Sequence, residues 1–129
     1  MATITRLEDL EIWQLARELH KFVFNVSSQE PFCRDFKLRD QIRGSSGSVM
    51  DNIAEGFERD GNKEFCQFLS VAKGSCGECR SQSYRARDDE YITDEEFHML
   101  LRRTDEISRK IYKFSEHLKQ SEFKGLKYH

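Results

Sequence analysis

The chain has 129 residues, of which 34% are charged, 37% hydrophobic and 12% aromatic, with a formal net charge of −2. This length suits one domain that buries roughly 68% of its unfolded surface, so a core needs neither metal nor disulfide, and the aromatic share excludes a disordered chain. One Pro and seven Gly exclude collagen-like and Pro-rich classes; no run nears the ~18 apolar residues of a membrane helix, and MATITRLEDLEIW has no apolar leader core, which points to the cytoplasm.

The first predicted helix runs over about 7–26. Ile12, Leu15, Leu19, Phe22 and Val26 recur at steps of three and four, and Trp13, Ala16 and Val23 widen the stripe to the width of a core-facing helix. Ser27, Ser28 and Pro31 end it. The second helix covers about 36–58, with Leu38, Ile42, Ser46, Val49, Ile53 and Phe57 inward. Its middle, Gly44-Ser45-Ser46-Gly47-Ser48, reads as loop on propensity, since each Gly costs about 1 kcal/mol against Ala. The stripe nevertheless continues in phase on both sides, which argues for helix.

Gly61 is a natural helix stop and Asn62 a natural N-cap for a third helix over about 63–88. Its stripe is Phe65, Phe68, Leu69, Ala72, Cys76 and Cys79, with a second small-residue stretch at Gly74-Ser75-Cys76-Gly77. Thr93 and Glu96 form a capping box opening a fourth helix over about 94–118, which faces Phe97, Leu100, Thr104, Ile107, Ile111, Phe114 and Leu118 inward. Residues 88–96 hold six acids and no base, whereas 97–129 hold eight bases and four acids. Acids at 94–96 suit the positive end of a helix dipole, and 119–129 reads as a short basic tail, frayed at the terminus.

Four helices with short connections predict an all-α, antiparallel, up-and-down four-helix bundle in a single domain over 1–129. Folding helices two and three back about residue 60 sets Gly47 opposite Gly74 and Gly44 opposite Gly77. The two helices are then expected to cross closely at these glycines, with Arg43 paired to Glu78.

Catalytic motifs are absent: there is no P-loop, G-x-S-x-G or H-E-x-x-H, and the four His share no spacing. Cys76-Gly77-Glu78-Cys79 is a C-x-x-C, but half a tetrahedral zinc site without a second pair reads as two small buried thiols. Glu95-Glu96-Phe97-His98 contains one E-x-x-H, at a helix start, where a di-iron bundle needs two mid-bundle copies and further carboxylates. No catalytic residue, metal or cofactor is expected. The basic residues offer a phosphate-contacting alternative to a plain solvated face. Arg102, Arg109 and Lys113 share one column of helix four, with Arg103 and Lys110 beside it. Arg59 and Lys63, at the end shared by helices two and three, extend the candidate rim. Asn52 and Glu55, one turn apart, either satisfy groups within the bundle or shape an oligomer contact.

Leu10-Glu11-Ile12-Trp13, Gln41-Ile42-Arg43, Ser48-Val49, Asn52-Ile53-Ala54-Glu55-Gly56-Phe57, Glu64-Phe65, Phe68-Leu69 and Gly74-Ser75 with Glu78 stand in order along the chain. In these strings the sequence resembles the bacterial four-helix-bundle proteins of the large-subunit ribosomal RNA intervening-sequence family, which is similar to the accessory variability determinants of diversity-generating retroelements. The resemblance spans about 7–118. It makes Arg43, Asn52, Glu55, Gly56, Gly74, Ser75 and Glu78 family-motif positions. It implies a non-enzymatic bundle that assembles with itself as a ring, a homopentamer, and associates with RNA or DNA; in the retroelement branch it implies a partner reverse transcriptase. The competing expectation is a protein-interaction module without nucleic-acid affinity.

Overall fold

The computed structural model describes residues 4–123, with side chains to residue 121. A short 3-10 turn, Leu7–Asp9, leads into α1 (Glu11–Ser27); α2 (Phe36–Phe57), α3 (Asn62–Asp88) and α4 (Asp94–Phe123) follow. Each helix packs on its neighbours around the ring, most extensively α2 on α3 and least α1 on α4. This is the antiparallel four-helix bundle that the periodicity predicts. Most of the inward stripes are buried: Leu38, Ile42, Ser46, Val49 and Ile53 of α2 are each at most 1% exposed, as are Leu100, Thr104, Ile107, Ile111 and Leu118 of α4, while Leu15, Phe22, Phe57, Phe68 and Phe114 at the stripe margins are half-buried. Thus the Gly-Ser stretch of α2 is helical because Ile42 and Val49 on either side of it, and Ser46 within it, are fixed in the core.

The boundaries shift at three places. Leu10 takes extended backbone (φ −77°, ψ 122°) between the 3-10 turn and α1, so the first helix starts at Glu11 rather than near 7. Asn62 is not the N-cap of α3: Gly61 holds that position in extended backbone, and Asn62 is the first helical residue. Its buried amide instead donates from Nδ2 to the Leu118 carbonyl at 3.0 Å, fastening the start of α3 to α4. α4 continues past 118 to Phe123, so 119–123 is helix rather than tail; the rest of the expected tail lies outside the described residues.

Side-chain caps set the remaining ends. Asp35 Oδ1 accepts from Leu38 N at 3.1 Å to open α2. The Thr93–Glu96 box closes reciprocally: Thr93 N–H donates to Glu96 Oε1 at 2.9 Å and Glu96 N–H to Thr93 Oγ1 at 3.0 Å. The two connections at that end are joined, with Tyr91 stacked on Phe32 at 5.1 Å and donating its hydroxyl to Asp35 Oδ2 at 2.9 Å.

The glycines correct the expected close crossing. A Cβ built at Gly44, Gly74 or Gly77 meets nothing within 4 Å, and one at Gly47 meets only the His20 ring at 3.7 Å. Gly44, Gly74 and Gly77 face outward and Gly47 faces α1, and neighbouring serines make the α2–α3 contact: Ser45 Oγ donates to Gln82 Oε1 at 2.6 Å and Ser75 Oγ to Ser48 Oγ at 2.9 Å. The tight position is Gly56, near the turn, where a Cβ would stand 2.7 Å from Phe65 Cδ1 and 2.9 Å from Phe68 Cβ. The expected Arg43–Glu78 pair does not form either. Arg43 points to α1, donating to Ser27 Oγ at 2.8 Å and Ser28 Oγ at 2.9 Å, and Glu78 is exposed.

Candidate nucleic-acid interface

The seven cations singled out above fall into two groups. Arg59 and Lys63 flank the α2–α3 turn, at the end where Asn62 meets Leu118 of α4. Arg102 lies sixteen residues before Leu118, or about 24 Å along the helix axis, so the two groups do not form one compact cluster. Many of the charges are already answered. Arg59 bonds Glu55 at 3.0 Å, approaches Glu64 at 3.7 Å, and lies over the Phe68 ring at 4.9 Å. Arg109 is held by Asp105 at 2.9 Å, one turn back. Lys110 reaches across to Glu11 of α1 at 2.8 Å, and that hydrogen bond holds its ammonium above the usual lysine range. Arg103 is half-buried over Phe22, its Nε enclosed without a partner. Lys63, Arg102 and Lys113 stand exposed. An ion pair at the surface contributes at most about 1 kcal/mol, so the paired arginines are restrained, not consumed.

Of the family-motif residues, Asn52, Gly56 and Ser75 lie at the α2–α3 seam, whereas Arg43 turns to α1 and Glu55, Gly74 and Glu78 are exposed. Asn52 Nδ2 donates to the Ser48 carbonyl and to Ser48 Oγ, both at 2.9 Å, and Ser75 Oγ meets the same hydroxyl. Asn52 therefore has its partner on its own helix and Glu55 has Arg59, just past the end of α2, and through Ser48 the Asn52 amide is tied to α3.

Thiol chemistry is suppressed where the C-x-x-C lies. Burial pushes Cys76 and Cys79 up to about 12, so both stay protonated near neutral pH. His98 Nδ1 is engaged with the Asp94 carbonyl at 2.7 Å, and Glu96 with the helix cap. Among the described residues, no group of three or more His, Cys, Asp or Glu comes together as a metal-holding set, and no helix is long and apolar enough to cross a membrane.

A second surface escaped the sequence reading. Trp13, Arg17, His20 and Phe24 stand at i, i+4, i+7 and i+11 on α1, one column of the helix. The Arg17 guanidinium lies over the Trp13 ring at 5.8 Å, and Arg43 of α2 lies over Phe24 at 4.2 Å. At the start of α2, Phe36 is 63% exposed with Arg39 over its ring at 4.9 Å. The signal was present in the spacing, but Trp13 was assigned to the core; it is half-buried.

The family model for "23S rRNA-intervening sequence protein" matches residues 8–113. Among solved structures, the chain is similar to a Bacteroides thetaiotaomicron protein described as of unknown function and from the S23 ribosomal protein family. The two share 20% identity and a TM-score of 0.74, over 81% of this chain and 97% of that one. At that identity the likeness shows the fold alone. No match was found among curated proteins.

Proposed function

The chain belongs to the 23S rRNA-intervening sequence protein family, and from that premise we propose that it is a non-enzymatic, ring-forming bundle, a homopentamer, that associates with nucleic acid as an accessory or scaffold protein. The observation that carries this reading is the family match over 8–113, whose name ties the family to an RNA locus. Surface chemistry supports it. The protein is acidic overall at net −2, yet Lys63, Arg102 and Lys113 are exposed, and a ring repeats them once per subunit. Weak sites presented together gain avidity without new contacts. The protonated thiols of Cys76 and Cys79 support a role without redox or nucleophilic chemistry.

The test is an anisotropy titration with mixed-sequence RNA and DNA at low and moderate salt, with light scattering on the same sample. The expected result is a multimer whose affinity falls steeply with salt. A monomer mass at micromolar protein refutes the ring. Absence of binding at about 50 mM salt, where counterion release is strongly favourable, refutes the nucleic-acid association and leaves a protein-interaction module as the reading. A reverse transcriptase recovered with the protein from its host would place it in an accessory role beside that enzyme.

A further inference from the structure

We propose that the α1–α2 face binds a single-stranded polynucleotide, with unpaired bases stacking on Trp13, Phe24 and Phe36 and the guanidiniums of Arg17, Arg39 and Arg43 serving its phosphates. The inference rests on the nucleic-acid reading above and moves the contact to a surface other than the α4 column.

Three observations carry it. The first is exposure: Phe24 and Phe36 keep 49% and 63% of their surface in solvent although a guanidinium lies over each ring. A core has no use for such rings, and an Arg beside an exposed ring is the pairing that favours a stacked base, through the π-face of the ring and the charge of the cation. The second is charge. The carboxylates bordering the face are already engaged: Glu8 and Glu18, beside Trp13 and Arg17, pair with Arg6 at 3.5 Å and Lys21 at 3.7 Å, Asp35 accepts from Leu38 N and the Tyr91 hydroxyl, and Asp40 is held by Arg39 at 2.9 Å. Arg43 spends its donors on Ser27 and Ser28 hydroxyls, not on a carboxylate, and so keeps its charge unneutralised. On α4, Asp105 and Glu11 hold Arg109 and Lys110 as Asp40 holds Arg39, and the difference between the two faces is Arg43. The third is reach. Trp13 to Phe24 covers about 17 Å of helix axis, and Phe36 lies about 10 Å beyond Arg43. That length accommodates a strand at the short end of the 4–16 nucleotides typical of stacking platforms.

Duplexes are disfavoured because paired bases hide the faces these rings would cover. Sequence and sugar matter little, since every base offers a π-face and every linkage a phosphate.

Trp13 is the only tryptophan, so intrinsic fluorescence reports on this face directly. The full chain is titrated at about 50 mM salt with labelled oligo-U, oligo-dT and a blunt duplex, each of about twelve nucleotides, following Trp13 emission and label anisotropy together. The expected result is saturable quenching that tracks anisotropy for both single strands, with the duplex at least about tenfold weaker. Phe24→Ala and Phe36→Ala should each weaken single-strand binding about tenfold while melting as the parent does. If anisotropy rises with Trp13 emission unchanged and both variants bind like the parent, this inference falls while nucleic-acid association stands. Equal affinity for the duplex overturns the single-strand assignment. No anisotropy change with any probe removes both.

Discussion

The α2–α3 hairpin contains two glycine regions that behave oppositely. At the turn end, Gly56 is enclosed by Phe65 and Phe68, and the helices approach because position 56 has no side chain. In the middle, Gly44, Gly74 and Gly77 open onto empty space, and hydrogen-bonded serines set the separation. A glycine in a helix is therefore a packing device only where its missing Cβ points at the neighbour; elsewhere it is a propensity cost.

The largest expected effect tests the crowded end. Gly56→Ala should destabilise by about 1–3 kcal/mol despite alanine's better helix propensity, because the added carbon would meet the Phe65 ring and Phe68 Cβ below 3.0 Å. A denaturant midpoint equal to the parent's would show that the aromatic cluster yields freely. Next, Asn62→Ala should cost about 1 kcal/mol. It removes the buried amide that holds the Leu118 carbonyl at 3.0 Å, and the loss should appear as faster amide exchange in the last turns of α4.

The open region predicts the reverse sign. Gly44→Ala and Gly77→Ala should each raise stability by about 0.5–1 kcal/mol, seen as a higher melting temperature. A fall in light-scattering mass with either variant would instead identify this face as a subunit contact, which closes the space around those glycines in the assembly.

The smallest effect belongs to the far end, away from both glycine regions. The Leu38 backbone N–H and the Tyr91 hydroxyl hold the Asp35 carboxyl below its usual range. A depressed folded value means that the stabilisation is complete above the unfolded value near 4 and is lost as pH falls through the lower folded one. Tyr91→Phe removes one of the two donors. The variant should therefore show a shallower loss of stability below about pH 4 in acid titrations followed by circular dichroism.

The four stripes of apolar residues were readable because helical burial repeats at a fixed spacing. That periodicity carried α2 through Gly44–Ser48 against local propensity. The Thr93–Glu96 box was readable for the same local reason: its partners lie three residues apart. The C-x-x-C thiols were read correctly as buried, since Cys76 and Cys79 fall on the stripe.

What the sequence could not supply was the direction in which a side chain off the stripe turns. Composition placed glycines in both halves of the hairpin but could not say which one faces a ring. Charge suggested Arg43 with Glu78, yet the guanidinium turned to α1, where the Ser27 and Ser28 hydroxyls and the Phe24 ring meet it. The basic column of α4 was legible as a spacing, but its pairing with Glu11, ninety-nine residues away in the chain, was not. Such contacts depend on the rotation of each helix about its axis and on the offset between neighbours, and both are fixed only when the whole core closes. The sequence by itself determined that four helices pack around one apolar interior; the packing alone decided which glycine is crowded, which cations are held, and which rings remain in solvent.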